Sequence, residues 1–99
     1  MVITDEVKIG GKTYDVIKIK LPILLDNMAH GGILDTEECK IQLNTERATQ
    51  SIEHHFIHEI LHAIAKDRGL NDLFADETTI DALASGVHAF ITDNWKIFE

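Results

Sequence analysis

The stretch from about Glu46 to Arg68 carries an unbroken helical pattern that constrains everything else the chain can do. Ile52, Phe56, Ile57, Ile60, Leu61, Ala63 and Ile64 recur at helical spacing and form one broad apolar arc. An arc that wide has to be covered by a second layer of structure. Asn44 or Thr45 can cap the start, and Glu46 suits the positive end of the helix dipole. Lys66 and Arg68 suit the other end, and Gly69 is a natural stop. The 99 residues are expected to form a single domain over 1–99, so the cover comes from this chain's own remaining elements.

Two sources of cover are legible. In "VKIGGKTYDVIKI", Val7 and Ile9 alternate before Gly10-Gly11, and Tyr14 and Val16 alternate after it, which is a hairpin signal. The alternation slips between Val16 and Ile17, which predicts a bulge or a bend before Leu21. Pro22 interrupts next, and "LLDNMAHGG" reads as a loop or short turn. A second hairpin fits "GILDTEECKIQLN", with Ile33 and Leu34 before a turn at Thr36–Glu38 and a strand from Cys39 to Leu43 after it. A second helix, about Asp76 to Asp93, has its own arc in Ile80, Leu83, Val87, Phe90 and Ile91. The fold class expected is α+β, a small antiparallel sheet over the first helix with the second helix behind.

Both helices carry a polar stripe beside the arc. His54, His58 and His62 border the first arc, and Glu77, Asp81, Ala84 and His88 border the second. His58-Glu59-Ile60-Leu61-His62 fits the pattern H-E-x-x-H. Residues four apart on a helix are offset by only about 40° and about 6 Å, so two imidazoles so placed can reach one zinc ion. Glu59 lies about 100° further round. That suits a carboxylate that takes a proton from water beside the metal. A catalytic zinc usually takes three protein ligands, and Asp76, Glu77, Asp81 and His88 are the candidates for the third. Glu77 opens the second helix, where a short return brings the chain back past the first. His88 lies about 16 Å further along the axis, so both cannot hold one ion. Glu77 is therefore the expected ligand, and Asp81, one turn on, the expected acceptor for a ligand imidazole.

"HEILH" followed by "DETTID" resembles the gluzincin metallopeptidases, in which a glutamate on the next helix completes the site. The small size and the strand-turn-strand ahead of "HEILHAI" are similar to the minimal, single-domain gluzincins. These include small phage and bacterial proteins related to the ImmA/IrrE-type peptidases. The likeness covers roughly Gly31 to Phe90. It implies a zincin-like fold, one zinc per chain on His58, His62 and Glu77, Glu59 as general base and Asp81 as orienter of a histidine. It also implies that Cys39, Lys40, Ile41, Gln42 and Leu43 form an edge strand along which a peptide substrate lies extended. The chain departs from the larger members in two ways. Fourteen residues separate His62 from Glu77, a shorter link than theirs, and no downstream histidine or tyrosine is spaced to stabilise an oxyanion. Tyr14, His30, His54, His55 and His88 are the candidates left for that role.

The remaining residues receive blander readings. His54 is a rim residue without a role, His55 inert surface, and His88 a hydrogen-bonded partner between the helices. Trp95 and Phe98 close the core, with a terminal segment folded across the cleft as the rival reading. Cys39, the sole cysteine, is a small strand residue, and no internal disulfide is possible. A formal net charge of -8 argues against nucleic-acid and anionic-membrane partners. The acidic N-terminus is unlike a signal peptide, and no apolar run nears the ~20 residues of a membrane span, so a cytoplasmic location is expected. The expected function is a zinc-dependent endopeptidase acting on a peptide or protein. The rival is a non-catalytic or latent zinc-binding module that interacts with peptides.

Overall fold

The computed structural model describes residues 1–20, 23–25 and 28–98. Gly10 and Gly11 both take positive φ, 59° and 81°, as a two-residue turn between twisted strands requires. They join β1 (Glu6–Ile9) to β2 (Lys12–Ile19) in an antiparallel pair with Ile9 opposite Lys12. β2 runs without a bulge through Ile17 and bends only at Lys20. The predicted loop holds two short strands, β3 (Ile23–Leu25) and β4 (Met28–His30), paired with each other. Leu21, Pro22, Asp26 and Asn27 lie outside the described residues.

β5 (Gly32–Asp35) and β6 (Lys40–Asn44) form the second hairpin. Asp35 shapes its turn by accepting the N–H groups of Glu37 and Glu38 at 3.0 and 2.9 Å. Cys39 is a turn residue with φ 53°, so β6 begins at Lys40 instead of at the cysteine. The sheet order is β1-β2-β6-β5, with β2 and β6 parallel, so the sheet is mixed and the all-antiparallel expectation fails. The physical reason is burial. Ile41 and Leu43 are 0% exposed, a burial that β6 reaches with a neighbour on both sides. β5, with Gly32 and exposed Asp35, takes the edge. The edge expected at Cys39–Leu43 is therefore displaced to β5.

Helix α1 (Thr49–Asp67) lies across this sheet. Phe56 and Ala63 join Ile9, Tyr14, Val16, Ile41 and Leu43 in one buried cluster. Burying a side chain such as Leu43 stabilises the fold by roughly 1.5–3 kcal/mol. The helix starts later than expected, because Asn44 accepts the N–H of Glu46 at 3.0 Å and holds a turn there. Ala48 is the N-cap, with no side-chain bond. The C-terminus follows expectation. Gly69 at φ 73° lets its own N–H and that of Leu70 return to the carbonyls of Lys66 and Ala65.

A one-turn helix, α2 (Asn71–Phe74), fills the return, and Asp76 then caps α3 (Glu77–Asp93) by accepting the Thr79 N–H at 3.0 Å. Ile80 and Ala84 are buried, with Val87 and Ile91 half-buried on the same stripe, whereas Leu83 and Phe90 are exposed. Trp95 and Phe98 sit in a closing 3-10 turn (Trp95–Phe98) and are 45% and 53% exposed, so they do not close the core. No described helix is long and apolar enough to cross a membrane.

Candidate metal centre

α1 and α3 run antiparallel, and their polar stripes meet as a ladder. Glu53 pairs with His88, His54 and His58 with Asp81, and His58 and His62 with Glu77. The order of these pairs, descending along α3 as it ascends along α1, fixes the antiparallel sense. The ladder exists because Gly69 and α2 reverse the chain within a few residues and deliver Asp76-Glu77 beside His62.

At its lower end three potential ligands converge. His58 Nε2 stands 2.9 Å from Glu77 Oε2, His62 Nε2 3.1 Å from Glu77 Oε1, and the two Nε2 atoms 3.1 Å from each other. The opposite nitrogens are occupied. His62 Nδ1 donates to the Phe74 carbonyl at 2.9 Å, and His58 Nδ1 donates to Asp81 Oδ1 at 3.1 Å. Those partners set the tautomers, so both rings turn an Nε2 lone pair toward the same point as the Glu77 carboxylate. Two lone pairs and an anion facing one point repel each other, and a divalent cation satisfies all three. The donor set therefore fits a metal, and His58, His62 and Glu77 form a group that could hold one. His54, His58 and Asp81 form a second such group that shares His58. Its short contacts are those of a hydrogen-bonded chain: Asp81 Oδ1 takes His54 Nε2 at 2.8 Å as well as His58 Nδ1. The His54 bond is the largest influence holding the Asp81 carboxyl below the usual carboxylate range.

Glu59 projects from α1 toward the sheet. It is buried, and its carboxylate lies against Gly32 of β5, where a Cβ would come within 3.2 Å of Oε2. Burial pushes its carboxyl above the ordinary range, Glu77 adds to the rise, and His58 and His62 oppose it. Glu59, His58, His62 and Glu77 all line one cleft of about 670 Å³, closed on the sheet side by His30 and Gly31–Leu34 and at one end by Phe74 and Ala75. That cleft brings together a group that could hold a metal ion and a buried carboxylate.

His58, Glu59, His62, Glu77 and Asp81 come together as expected from the sequence. His88 pairs with Glu53 at 2.8 Å, a helix-interface contact as expected. His54 is not idle, since it holds Asp81. His55 is not inert surface: it is half-buried, lines the cleft and packs so closely on Gly31 that a Cβ there would overlap its ring. Tyr14 is 3% exposed in the sheet core, beside a different cavity with Lys12, Thr36, Lys66 and Asp67, so it is removed from the oxyanion candidates. Trp95 and Phe98 are not among the cleft-lining residues. Cys39 to Leu43 cannot offer a free edge, because β6 is paired on both sides. The free edge bordering the cleft is β5, through Gly32, Ile33 and Leu34. Sequence reasoning kept His55 only as one oxyanion candidate and otherwise as inert surface, and it missed the Gly31-Gly32 pair, although a signal was there. His55 and Glu59 are four apart, as His58 and His62 are, and two adjacent glycines mark a close approach.

Comparison with known proteins finds no protein family, no curated relative and no solved structure that matches this chain.

Proposed function

We propose that this domain is a zinc-dependent endopeptidase of gluzincin type, with a zincin-like arrangement of sheet, active-site helix and ligand-bearing helix. One observation carries the reading. Two imidazole nitrogens and a carboxylate converge within 2.9–3.1 Å, with a buried carboxylate on the same helix in the same cleft. His58, His62 and Glu77 would hold one ion per chain, and two imidazoles with one carboxylate is a set that suits zinc. When bound, zinc supplies Lewis acidity toward water and toward the scissile carbonyl.

The chain's own residues do the rest. Asp81 keeps the proton on His58 Nδ1 and the Phe74 carbonyl keeps it on His62 Nδ1, so both Nε2 atoms remain basic. Glu59, whose carboxyl is raised by its burial, takes a proton from the attacking water and returns it to the leaving amine nitrogen. Gly32 leaves room for that carboxylate beside the β5 backbone. An extended peptide adding to the β5 edge would carry its backbone past Glu59, with main-chain hydrogen bonds providing affinity.

The second reading, a non-catalytic or latent zinc-binding peptide module, draws on the position of Tyr14, which takes the sole phenol away from the cleft. One experiment separates the two. The zinc-loaded protein and its Glu59→Ala form are incubated with a proteome-derived peptide library, and new termini are mapped by mass spectrometry. Cleavage by the first that vanishes in the second supports the peptidase. No cleavage by protein holding one zinc per chain refutes it in favour of the binding module.

A further inference from the structure

The chain has 17 acidic residues against 9 lysines and arginines, and among the described residues Lys18 alone of those nine stands within ion-pair distance of a carboxylate. Arg47 is exposed, does not itself line the cleft, and among the described residues has no carboxylate within that distance. Its side-chain partner is His55, whose Nε2 lies 3.4 Å from Arg47 Nη1. His55 in turn is a wall of the cleft, seated where only a glycine at position 31 leaves space for its ring. An arginine is a donor only, so the ring nitrogen facing it is the acceptor and Nδ1 carries the His55 proton. The pair therefore presents a cationic fork, with four guanidinium N–H groups unused among the described residues, and an imidazole N–H. His30 lines the same wall. The rest of that wall is Gly31, Gly32, Ile33 and Leu34, which carry no side-chain charge.

We propose that Arg47 and His55 form an anion subsite at the rim of the cleft, on its β4–β5 side, which takes a carboxylate of the bound peptide. The proposal rests on the reading of the cleft as a peptide groove and names what that groove selects. The chain's net charge of -8 repels acidic peptides in general. A local guanidinium–carboxylate contact outweighs that field, which is screened beyond about 8 Å at physiological salt. Specificity then comes from one acidic residue at a fixed distance from the metal, accepted where Arg47 is.

The test is by binding, in zinc-loaded protein carrying Glu59→Gln so that peptide is held uncut. Fluorescein-labelled, C-terminally amidated octapeptides of alanine and serine carry one glutamate scanned through the sequence, with glutamine counterparts. A glutamine peptide with a free C-terminus separates a chain-end carboxylate from a side-chain one. Fluorescence anisotropy is read for this protein, for Arg47→Gln and for Gly31→Ala, whose backbone does not need positive φ and so accepts alanine while the His55 ring is displaced. At one position glutamate should bind about five- to tenfold more tightly than glutamine, the scale of a partly exposed charge-assisted contact. That ratio should fall to about one in both variants, with one zinc still bound in each. A free C-terminus that gives the gain in place of a glutamate assigns the same subsite to a chain end. Glutamate and glutamine peptides that bind alike, or a ratio that survives Arg47→Gln, overturn the inference and leave the peptide groove standing. If no peptide binds in any form, the groove reading falls and takes the subsite with it.

Discussion

Asp81 lies outside the ligand triad, yet its removal should weaken metal binding by a calculable amount. Its Oδ1 accepts from His58 Nδ1 at 3.1 Å and is itself held by His54 at 2.8 Å. Loss of a carboxylate that orients a ligand imidazole typically lowers metal affinity by about 10–100-fold. Suppose a zinc buffer fixes the free ion at about 100 times the wild-type Kd, which stabilises the folded state by about 2.7 kcal/mol. For a domain of this size each kcal/mol moves Tm by about 4–8 °C, so zinc should raise it by roughly 11–22 °C. At the same free zinc, Asp81→Ala sits at only about 1–10 times its own Kd and gains about 0.4–1.4 kcal/mol. It should therefore keep about 15–50% of the wild-type shift, a ratio in which the unfolding entropy cancels. Alanine at this exposed position in α3 costs the helix nothing. Differential scanning fluorimetry in buffered zinc and in chelator gives both shifts. An Asp81→Ala protein with the full wild-type shift would refute the orienting role. A His58→Ala protein with the full shift would refute the triad itself, because zinc would then be bound elsewhere.

The other predictions concern the groups that surround the triad. His54→Ala should reduce the zinc shift by less than Asp81→Ala does, since His58 keeps its contact with Asp81; equal loss would show that His54 acts on the metal directly. In metal-free protein Glu59→Gln should raise stability at neutral pH. The Glu59 carboxyl is raised on folding, so its ionisation favours the unfolded chain above that range, and the advantage should vanish in acid where both forms are protonated. His88→Ala should destabilise the fold by about 1–3 kcal/mol in denaturant titrations, because buried Glu53 loses its 2.8 Å partner. Glu53 is lowered chiefly by that bond, so its contribution is present above the unfolded carboxylate range and lost as pH falls through the folded value. The wild type and His88→Ala should therefore converge in acid. Leu43→Ala, at a fully buried position, should cost about 2–5 kcal/mol, whereas Leu83→Ala, at a position 45% exposed, should cost far less; equal costs would refute the placement of β6 inside the sheet.

Local chemistry made much of this protein readable in one dimension. The Gly10-Gly11 turn, the stop at Gly69 and the pairing of His58 with His62 all depend on residues within a few positions of each other. So does the juxtaposition of Glu77 and Asp81 on one stripe of α3, and a short return was enough to bring that stripe back to α1. What the sequence could not decide is which strand neighbours which. Alternation says that Ile41 and Leu43 share a face, but their exclusion from water depends on β2 and β5 flanking them, a matter of pairing across distant residues. From that pairing follow the mixed sheet, the transfer of the edge from Cys39–Leu43 to β5, and the approach of Gly31 and Gly32 to α1. The side of α1 that carries His55 and Glu59 became a cleft wall only when that edge was laid against it. The sequence determined which side chains could hold a metal ion, because helical spacing sets their placement on α1 and α3; tertiary structure alone decided what that group faces, because strand order is a long-range choice.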